Sequence, residues 1–374
     1  MEPILISINE PQFKEPIIGK NREDLIEVTK NLGQPSFRSN QLYEWIYSKR
    51  TQQFDLMTNL GVKFIQELQE KYSLQSLKLI DSIGDKNDTV KFLFRTFDNL
   101  NIEAVLIPSE SRNDQNEPRR KTICISTQVG CPLDCKFCAT ASMKMKRNLL
   151  CNEIIEQIFI VEKFIDEKIT NIVYMGMGEP MLNYNEVFKS ISIITDPKNK
   201  MCSPKRITVS TSGLVDGIIK MADENQKVKL ALSLHALTDG LRSKLMPINL
   251  KYNLKSVMNA LEYYYQKTRE TVTFEYILFE GLNDTQQDVK RLTRLSKRFP
   301  TKVNVIPFHP IEFINPVGFS SELKPTSVVK FNEFISDLKY NGVQVMVRSS
   351  SGKDINAACG QLAITHDKIL LSEK

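Results

Sequence analysis

Residues Thr122–Arg147 read TICISTQVGCPLDCKFCATASMKMKR, and Cys131, Cys135 and Cys138 are spaced C-x3-C-x2-C within them. Three thiolates so close on a short loop can converge on one metal centre. Thiolate is the soft ligand that iron–sulfur clusters and zinc prefer. A structural zinc site wants four protein ligands, usually as paired C-x2-C arms, and no fourth partner is apparent beside this loop. A four-iron cluster held by three cysteines leaves one iron open for a substrate or cofactor. A zinc knuckle or a chance grouping of buried cysteines is what the three residues alone leave open.

Outward from this loop, apolar strands alternate with amphipathic helices. Strands are predicted at 122–127, 171–175, 206–210, 228–234, 272–278 and 303–306, and helices at 152–167, 184–195, 214–223, 253–268 and 285–298. Asn152 is expected to cap the first helix, whose Ile154, Ile155, Ile158, Phe159 and Val161 line one side. This rhythm argues for βαβ units, a parallel sheet and right-handed crossovers. About six units make an incomplete barrel, closed by a helix near 325–341 and a strand at 343–348. Active residues should gather at the carboxyl ends of the strands. The cysteine loop, Gly176-Met177-Gly178-Glu179-Pro180, Ser210 in STSG, and Ser233-Leu234-His235 fall there. Glycines admit a ligand close to the backbone, and Glu179 can accept from an ammonium group.

The N-terminal part reads as helices to about residue 80, with apolar stripes at 22–32 and 41–49 and a third stretch capped by Thr58. A small helical RNA-recognition domain and a plain packing domain both fit, since Lys plus Arg and Asp plus Glu each count 13 up to Arg95. Thr89–Phe97 and Asn101–Ile107 flank Asp98-Asn99-Leu100 as a β-hairpin. Glu103 lies among apolar residues of the second arm, where a solvated strand face is the default. The polar loop that follows ends in Arg119-Arg120-Lys121, a run that is ordinarily solvated.

A chain of 374 residues, 41% hydrophobic and 25% charged, suits one large domain with an appendage, or two domains. No apolar run approaches the ~20 residues of a membrane span, and the N-terminus shows no signal-peptide pattern. Seven cysteines with three in a ligand loop suit a reducing cytoplasm better than a disulfide scaffold. The net charge of +6 is compatible with nucleic acid without establishing it. Lys136, Lys144, Lys146 and Arg147 group beside the cysteine loop, and Lys198, Lys200, Lys205 and Arg206 form a second group. Such residues serve phosphate contacts or simply a solvated loop.

The cysteine spacing, with Phe137 before the last cysteine, resembles the radical S-adenosylmethionine (SAM) enzymes, in which the open iron chelates SAM and the reduced cluster cleaves it to a 5′-deoxyadenosyl radical. ISTQVGC, CKFCAT, MGMGEP, STSG, SLHA, MPIN and DINAACGQL together resemble the dual-specificity adenine-C2 RNA methyltransferases, over nearly the whole chain. The resemblance implies an α/β fold: an incomplete (β/α)6 radical-SAM barrel at 121–348, with a helical accessory domain at 1–87, a hairpin extension and loop at 88–120, and a C-terminal segment at 349–374. It implies a [4Fe-4S] cluster on Cys131, Cys135 and Cys138, and SAM lined by Gly178, Glu179, Ser210, Ser233, Leu234 and His235. His309 in VIPFHP stands where the family often has asparagine. Glu103 becomes the proton acceptor, Cys359 the methyl carrier and Cys124 its redox partner. On the first strand Thr122, Cys124 and Ser126 share one face, so Cys124 can point into the barrel. The loop between Glu103 and Cys124 is longer than usual for the family.

The implied chemistry proceeds in stages because C2 of adenine is electron-poor. Cys359 takes a methyl from one SAM. A radical from a second SAM removes a hydrogen from that methyl, and the carbon radical attacks C2. Loss of an electron and the C2 proton, then attack of Cys124 on Cys359, frees the product and leaves a disulfide. The implied partners are 23S rRNA, tRNA and a flavodoxin or ferredoxin reductant, for a monomeric cytoplasmic enzyme with no membrane association. A neighbouring family methylates adenine C8 and confers ribosomal antibiotic resistance. It typically reads G-E-A where this chain has Gly178-Glu179-Pro180, and the proline favours C2.

Overall fold

The computed structural model describes residues 14–85, 88–109, 120–199, 201–347, 355–357 and 360–362. Its centre is a ten-stranded sheet. In chain order the strands are β1 (Lys78–Gly84), β2 (Val90–Arg95), β3 (Asn101–Pro108), β4 (Lys121–Cys124), β5 (Asn171–Tyr174), β6 (Ile207–Thr211), β7 (Lys229–Ser233), β8 (Val272–Leu278), β9 (Thr301–Pro307) and β10 (Val345–Val347). They lie side by side in that same order. β4 to β10 run parallel, and β1 to β3 join antiparallel at the β4 edge.

The helices are α1 (Arg22–Asn31), α2 (Phe37–Tyr43), α3 (Val62–Lys71), α4 (Cys151–Ile165), α5 (Tyr184–Ile194), α6 (Val215–Asp223), α7 (Asp239–Leu245), α8 (Leu254–Thr268), α9 (Gln286–Ser296) and α10 (Val328–Tyr340). Helices between successive parallel strands cover the sheet, which is why strands such as β8, with Phe274, Tyr276, Ile277 and Leu278 all buried, read as apolar runs. The alternation expected from the sequence is present throughout, and strand and helix limits differ by a few residues. α7 was not anticipated; its N-cap is Thr238.

Several local expectations change. The helix at Cys151 has Leu150 as N-cap, with Glu153 accepting the Leu150 amide at 2.9 Å. Asn152 is instead buried and donates to Ser76 Oγ at 2.5 Å. The third helix begins beyond Thr58, after Gly61. The second begins at Phe37 and ends in a π-turn, Glu44–Ser48. Lys78–Gly84, within the span read as helical, is a strand paired with β2. Its register slips between Leu79 and Asp81, so an extra residue breaks the two-residue alternation that marks a strand in sequence. Lys121 is buried and paired with Glu167 rather than solvated.

The N-terminal helices are fastened to the barrel by charge pairs. Arg22 meets Asp196 at 2.6 Å, Tyr43 donates to the same carboxylate at 2.9 Å, and Lys189 meets Asp24 at 2.8 Å. Glu156 of α4 accepts from the amides of Ser76 and Leu77 at 2.7 and 2.9 Å, at the entry to β1.

Candidate active site

The cysteine loop is closed at its base by a two-residue antiparallel ladder, Gln128–Val129 against Arg147–Asn148. Gly130 has φ +75°, and a Cβ there would lie 2.0 Å from the Lys144 carbonyl oxygen, so only glycine fits this turn. The Cys138 amide donates to the Cys135 carbonyl at 3.1 Å, and the Lys136 amide to Leu245 at 2.9 Å. Phe137 packs edge-on against His235, with ring centres 4.7 Å apart.

Cys131, Cys135 and Cys138 line one cavity together with Gly178, Glu179, Ser210, Ser233 and His235. The sequence placed these residues at the ends of different strands, and the barrel gathers them. The Gly176–Glu179 turn is fitted tightly. A Cβ on Gly176 would be 2.6 Å from the Ile125 carbonyl, and one on Gly178, at φ +97°, would be 2.5 Å from Gln128 Cβ. Glu179 is buried, and its carboxylate accepts from the Ser212 amide at 2.8 Å and the Met181 amide at 3.1 Å. Burial raises its pKa while these donors oppose the shift.

His235 accepts the Ile277 amide on Nδ1 at 3.1 Å, which places the proton of the neutral ring on Nε2. Burial first, and then the Arg242 charge, lower its pKa to about 3, so the ring stays neutral. Leu234 and His309 are also buried, but neither is among the cavity-lining residues; Leu234 turns into the core.

Two residues that the motifs did not single out bear on the cavity, Arg242 by bracing the strand ends beside it and Glu275 by lining it. Arg242 of α7 is fully buried and donates to the carbonyls of Ser212, Ser233 and Leu234 at 2.7, 3.1 and 3.2 Å and to Asn249 Oδ1 at 3.0 Å. It staples the ends of β6 and β7 together; MPIN, which contains Asn249, was the available signal. Glu275 of β8 also lines the cavity and accepts from Asn304 at 2.7 Å.

Glu103 and Cys124 lie to one side, on β3 and on β4, where the antiparallel strands join the parallel ones. Glu103 is 1% exposed, contrary to a solvated strand face. Its main chain is docked on the glycine turn: Ser126 Oγ donates to the Glu103 carbonyl at 2.6 Å and accepts the Met177 amide at 2.9 Å. Cys124 is buried opposite Val105. Cys359 lies outside the described residues. The following residue, Gly360, lines the cavity and accepts the Ala139 amide at 2.6 Å.

The thiols fit an iron–sulfur cluster. Burial pushes Cys131 up to about 12 and Cys135 well above its ordinary value, with neighbouring cysteines adding to both shifts. Buried thiols that disfavour ionisation so strongly become thiolates when a cationic metal centre offsets the charge. Among the described residues no three His, Cys, Asp or Glu side chains meet at the spacing of a single-ion site. The ligands of a four-iron cluster each hold a different iron and need not meet at one point.

A three-cysteine loop at the mouth of a partial parallel barrel, with a glycine–glutamate turn beside it, defines the radical SAM class, and the family model "Radical SAM superfamily" matches residues 125–293. That superfamily implies a four-iron cluster and SAM. Residues 16–74 match the ribosomal RNA large subunit methyltransferase N-terminal domain. The probable dual-specificity RNA methyltransferase RlmN of Christiangramia forsetii is 40% identical over 94% of this chain and 96% of its own length. That of Flavobacterium johnsoniae is 43% identical over 88% and 91%. The crystal structure of a radical SAM methyltransferase from Sphaerobacter thermophilus superposes with a TM-score of 0.84 at 36% identity, covering 93% of this chain and 98% of that one. The chain belongs to the dual-specificity RNA methyltransferase family of the radical SAM superfamily. No described helix is long and apolar enough to cross a membrane.

Proposed function

We propose that this protein methylates C2 of one adenosine in 23S rRNA and of the adenosine 3′ of the anticodon in tRNAs, through a methylcysteine on Cys359. The observation that carries the proposal is the shared cavity. The three thiols, the Gly178–Glu179 turn, Ser210, Ser233 and His235 line it together with Gly360, the residue next to Cys359.

The bound cluster and SAM supply a carbon-centred radical able to remove hydrogen from an unactivated methyl group. The chain's own residues do the rest. Cys131, Cys135 and Cys138 hold the cluster. Glu179 presents its carboxylate to the SAM ammonium, and neutral His235 offers an Nε2 proton. Ser210 and Ser233 line the same ligand, with Leu234 and His309 supporting its pocket from behind. Cys359 as thiolate takes the methyl of the first of two SAM molecules, and S-adenosylhomocysteine leaves. Glu103 accepts the C2 proton once one electron has left the RNA adduct. Cys124 as thiolate then attacks the Cys359 sulfur, the methylene carbon leaves with the RNA and takes up a proton, and a Cys124–Cys359 disulfide remains. A flavodoxin or ferredoxin supplies electrons for SAM cleavage and for restoring both thiols. The enzyme works as a cytoplasmic monomer with one cluster per chain.

The test is an anaerobic reaction of the reconstituted protein with SAM, reductant and each RNA, followed by nucleoside mass spectrometry. 2-Methyladenosine at both sites is expected. 8-Methyladenosine, or unmodified RNA from a protein holding about four irons, overturns the proposal.

A further inference from the structure

Lys91 is 1% exposed, and an ammonium group is seldom buried unless it is paired. Two of its contacts are the Glu103 carboxylate at 3.5 Å and the main-chain carbonyl of Asn356 at 3.4 Å. Strand register explains why they meet. Lys91 lies opposite Val105, which lies opposite Cys124, and Glu103 lies opposite Leu93. Directly opposed residues share a face, as do residues two apart on a strand. Lys91, Glu103 and Cys124 therefore project from one face of the sheet. Asn356 belongs to the segment that leads into Cys359. On the far side of that cysteine, Gly360 and Leu362 are held by the Ala139 amide and the Thr140 hydroxyl, each at 2.6 Å.

A lysine on a buried sheet face carries a desolvation cost that a methionine would not, so packing alone gives no reason for it. The reaction does. The base must reach the C2 hydrogen while a carbon carried by the cysteine is bonded to the same C2. The two groups need one common frame, and one ammonium touching both elements supplies it.

We propose that Lys91 is a positioning residue that holds the Glu103 carboxylate in register with the segment carrying Cys359 by bridging Glu103 and the Asn356 carbonyl. This rests on the roles given above to Glu103 and Cys359. Lys91 itself is not among the residues that line the cavity of the three cysteines.

The test uses full-length holoenzyme, wild type and Lys91→Met, Lys91→Gln and Lys91→Arg, with RNA carrying hydrogen or deuterium at adenine C2. The two neutral variants are expected to keep their iron and to methylate Cys359 at the wild-type rate, read from intact-protein mass. Their turnover should fall about tenfold or more, and a primary deuterium isotope effect absent from wild type should emerge, because C2 proton removal has become slow. Arg, which keeps the cation, should recover rate and suppress the isotope effect. A merely structural lysine would not move the isotope effect. Wild-type rates without an isotope effect in either neutral variant overturn the proposal. So does loss of iron or of the folded state in both, since Lys91 would then serve stability alone. If wild type makes no 2-methyladenosine, the proposed function fails instead.

Discussion

Two buried carboxylates meet at the Gly176–Pro180 turn, Glu179 within it and Glu103 docked against it, and they are held differently. Glu179, on the parallel side, receives main-chain amides of Met181 and Ser212. Glu103, on the antiparallel side, faces the Lys91 ammonium. The first arrangement is local: a turn after one strand and the end of the next, set by glycines that tolerate positive φ. The second spans two strands and a distant segment. Backbone donors fix a group that has only to bind. A charged partner shared with another segment suits a group that must act in step with it. Under the proposed roles, the carboxylate that binds is fixed by main-chain donors and the carboxylate that accepts a proton is fixed by a side chain.

The largest effect should come from the parallel half. Replacing Cys131, Cys135 or Cys138 with alanine removes one of three ligands, and complete loss of turnover is expected, with iron and sulfide content falling to background in anaerobically purified protein. Full iron retention in any of the three would detach that cysteine from the cluster.

For the two cysteines outside the loop the expected losses are equally severe but asymmetric. Cys359→Ala should keep iron and SAM binding and form no RNA adduct. Cys124→Ala should methylate Cys359 and then stall with RNA covalently attached, because no thiolate is present to release it. A denaturing gel with and without ribonuclease reads this directly, with a ribonuclease-sensitive shift for Cys124→Ala only. The same shift in Cys359→Ala, or normal turnover by Cys124→Ala, would break the assignment.

This contrast also marks what could be read from the chain. The parallel barrel was legible because buried strands alternate with capped amphipathic helices, and its site was legible because Cys131, Gly178, Glu179 and His235 sit in short contiguous motifs. The first antiparallel strand was not, because its register slips at Ile80 and its alternation with it. Strand pattern alone gives Glu103 a solvated face, because its partner, Lys91, is a strand away and carries no motif; only the family resemblance marks it as a proton acceptor. Arg242 escaped for a related reason. It sits in a seven-residue helix too short for a clear apolar stripe, and its role depends on carbonyls at the ends of two strands.

In the parallel half, Arg242 is the side chain that ties strand-end carbonyls together. Arg242→Met leaves the Ser212 and Ser233 carbonyls and the Asn249 carboxamide without this donor. Each orphaned buried acceptor costs about 1–3 kcal/mol, so a loss of about 3 kcal/mol is expected after relief of the buried charge, whose pKa burial already lowers to about 10. Chemical denaturation at one pH measures it, and an unchanged midpoint would show that the strand ends hold themselves. Cluster and SAM retention should weaken in parallel.

The smallest effect concerns the join between the halves. Glu156, on the barrel's α4, accepts the Ser76 and Leu77 amides and the Ser76 hydroxyl just before the first antiparallel strand. Burial raises its pKa from 4.5 to about 7, against the hydrogen bonds that lower it. The sign follows from proton counting. Between these two pKa values the folded state holds a proton that the unfolded chain has released, so stability falls as pH rises through this window. From pH 6 to pH 8 the folded carboxyl gives up its proton while the unfolded one is ionised throughout. Integrated, that is about one pH unit of one proton, or about 1.4 kcal/mol. Glu156→Gln cannot ionise. Wild type should therefore lose about 1.4 kcal/mol more than the variant between the two pH values, and groups common to both, such as His235, cancel in the difference. Equal pH dependence in the two proteins would mean that the carboxylate is already ionised at pH 6, and that the amides at the head of the antiparallel edge outweigh its burial.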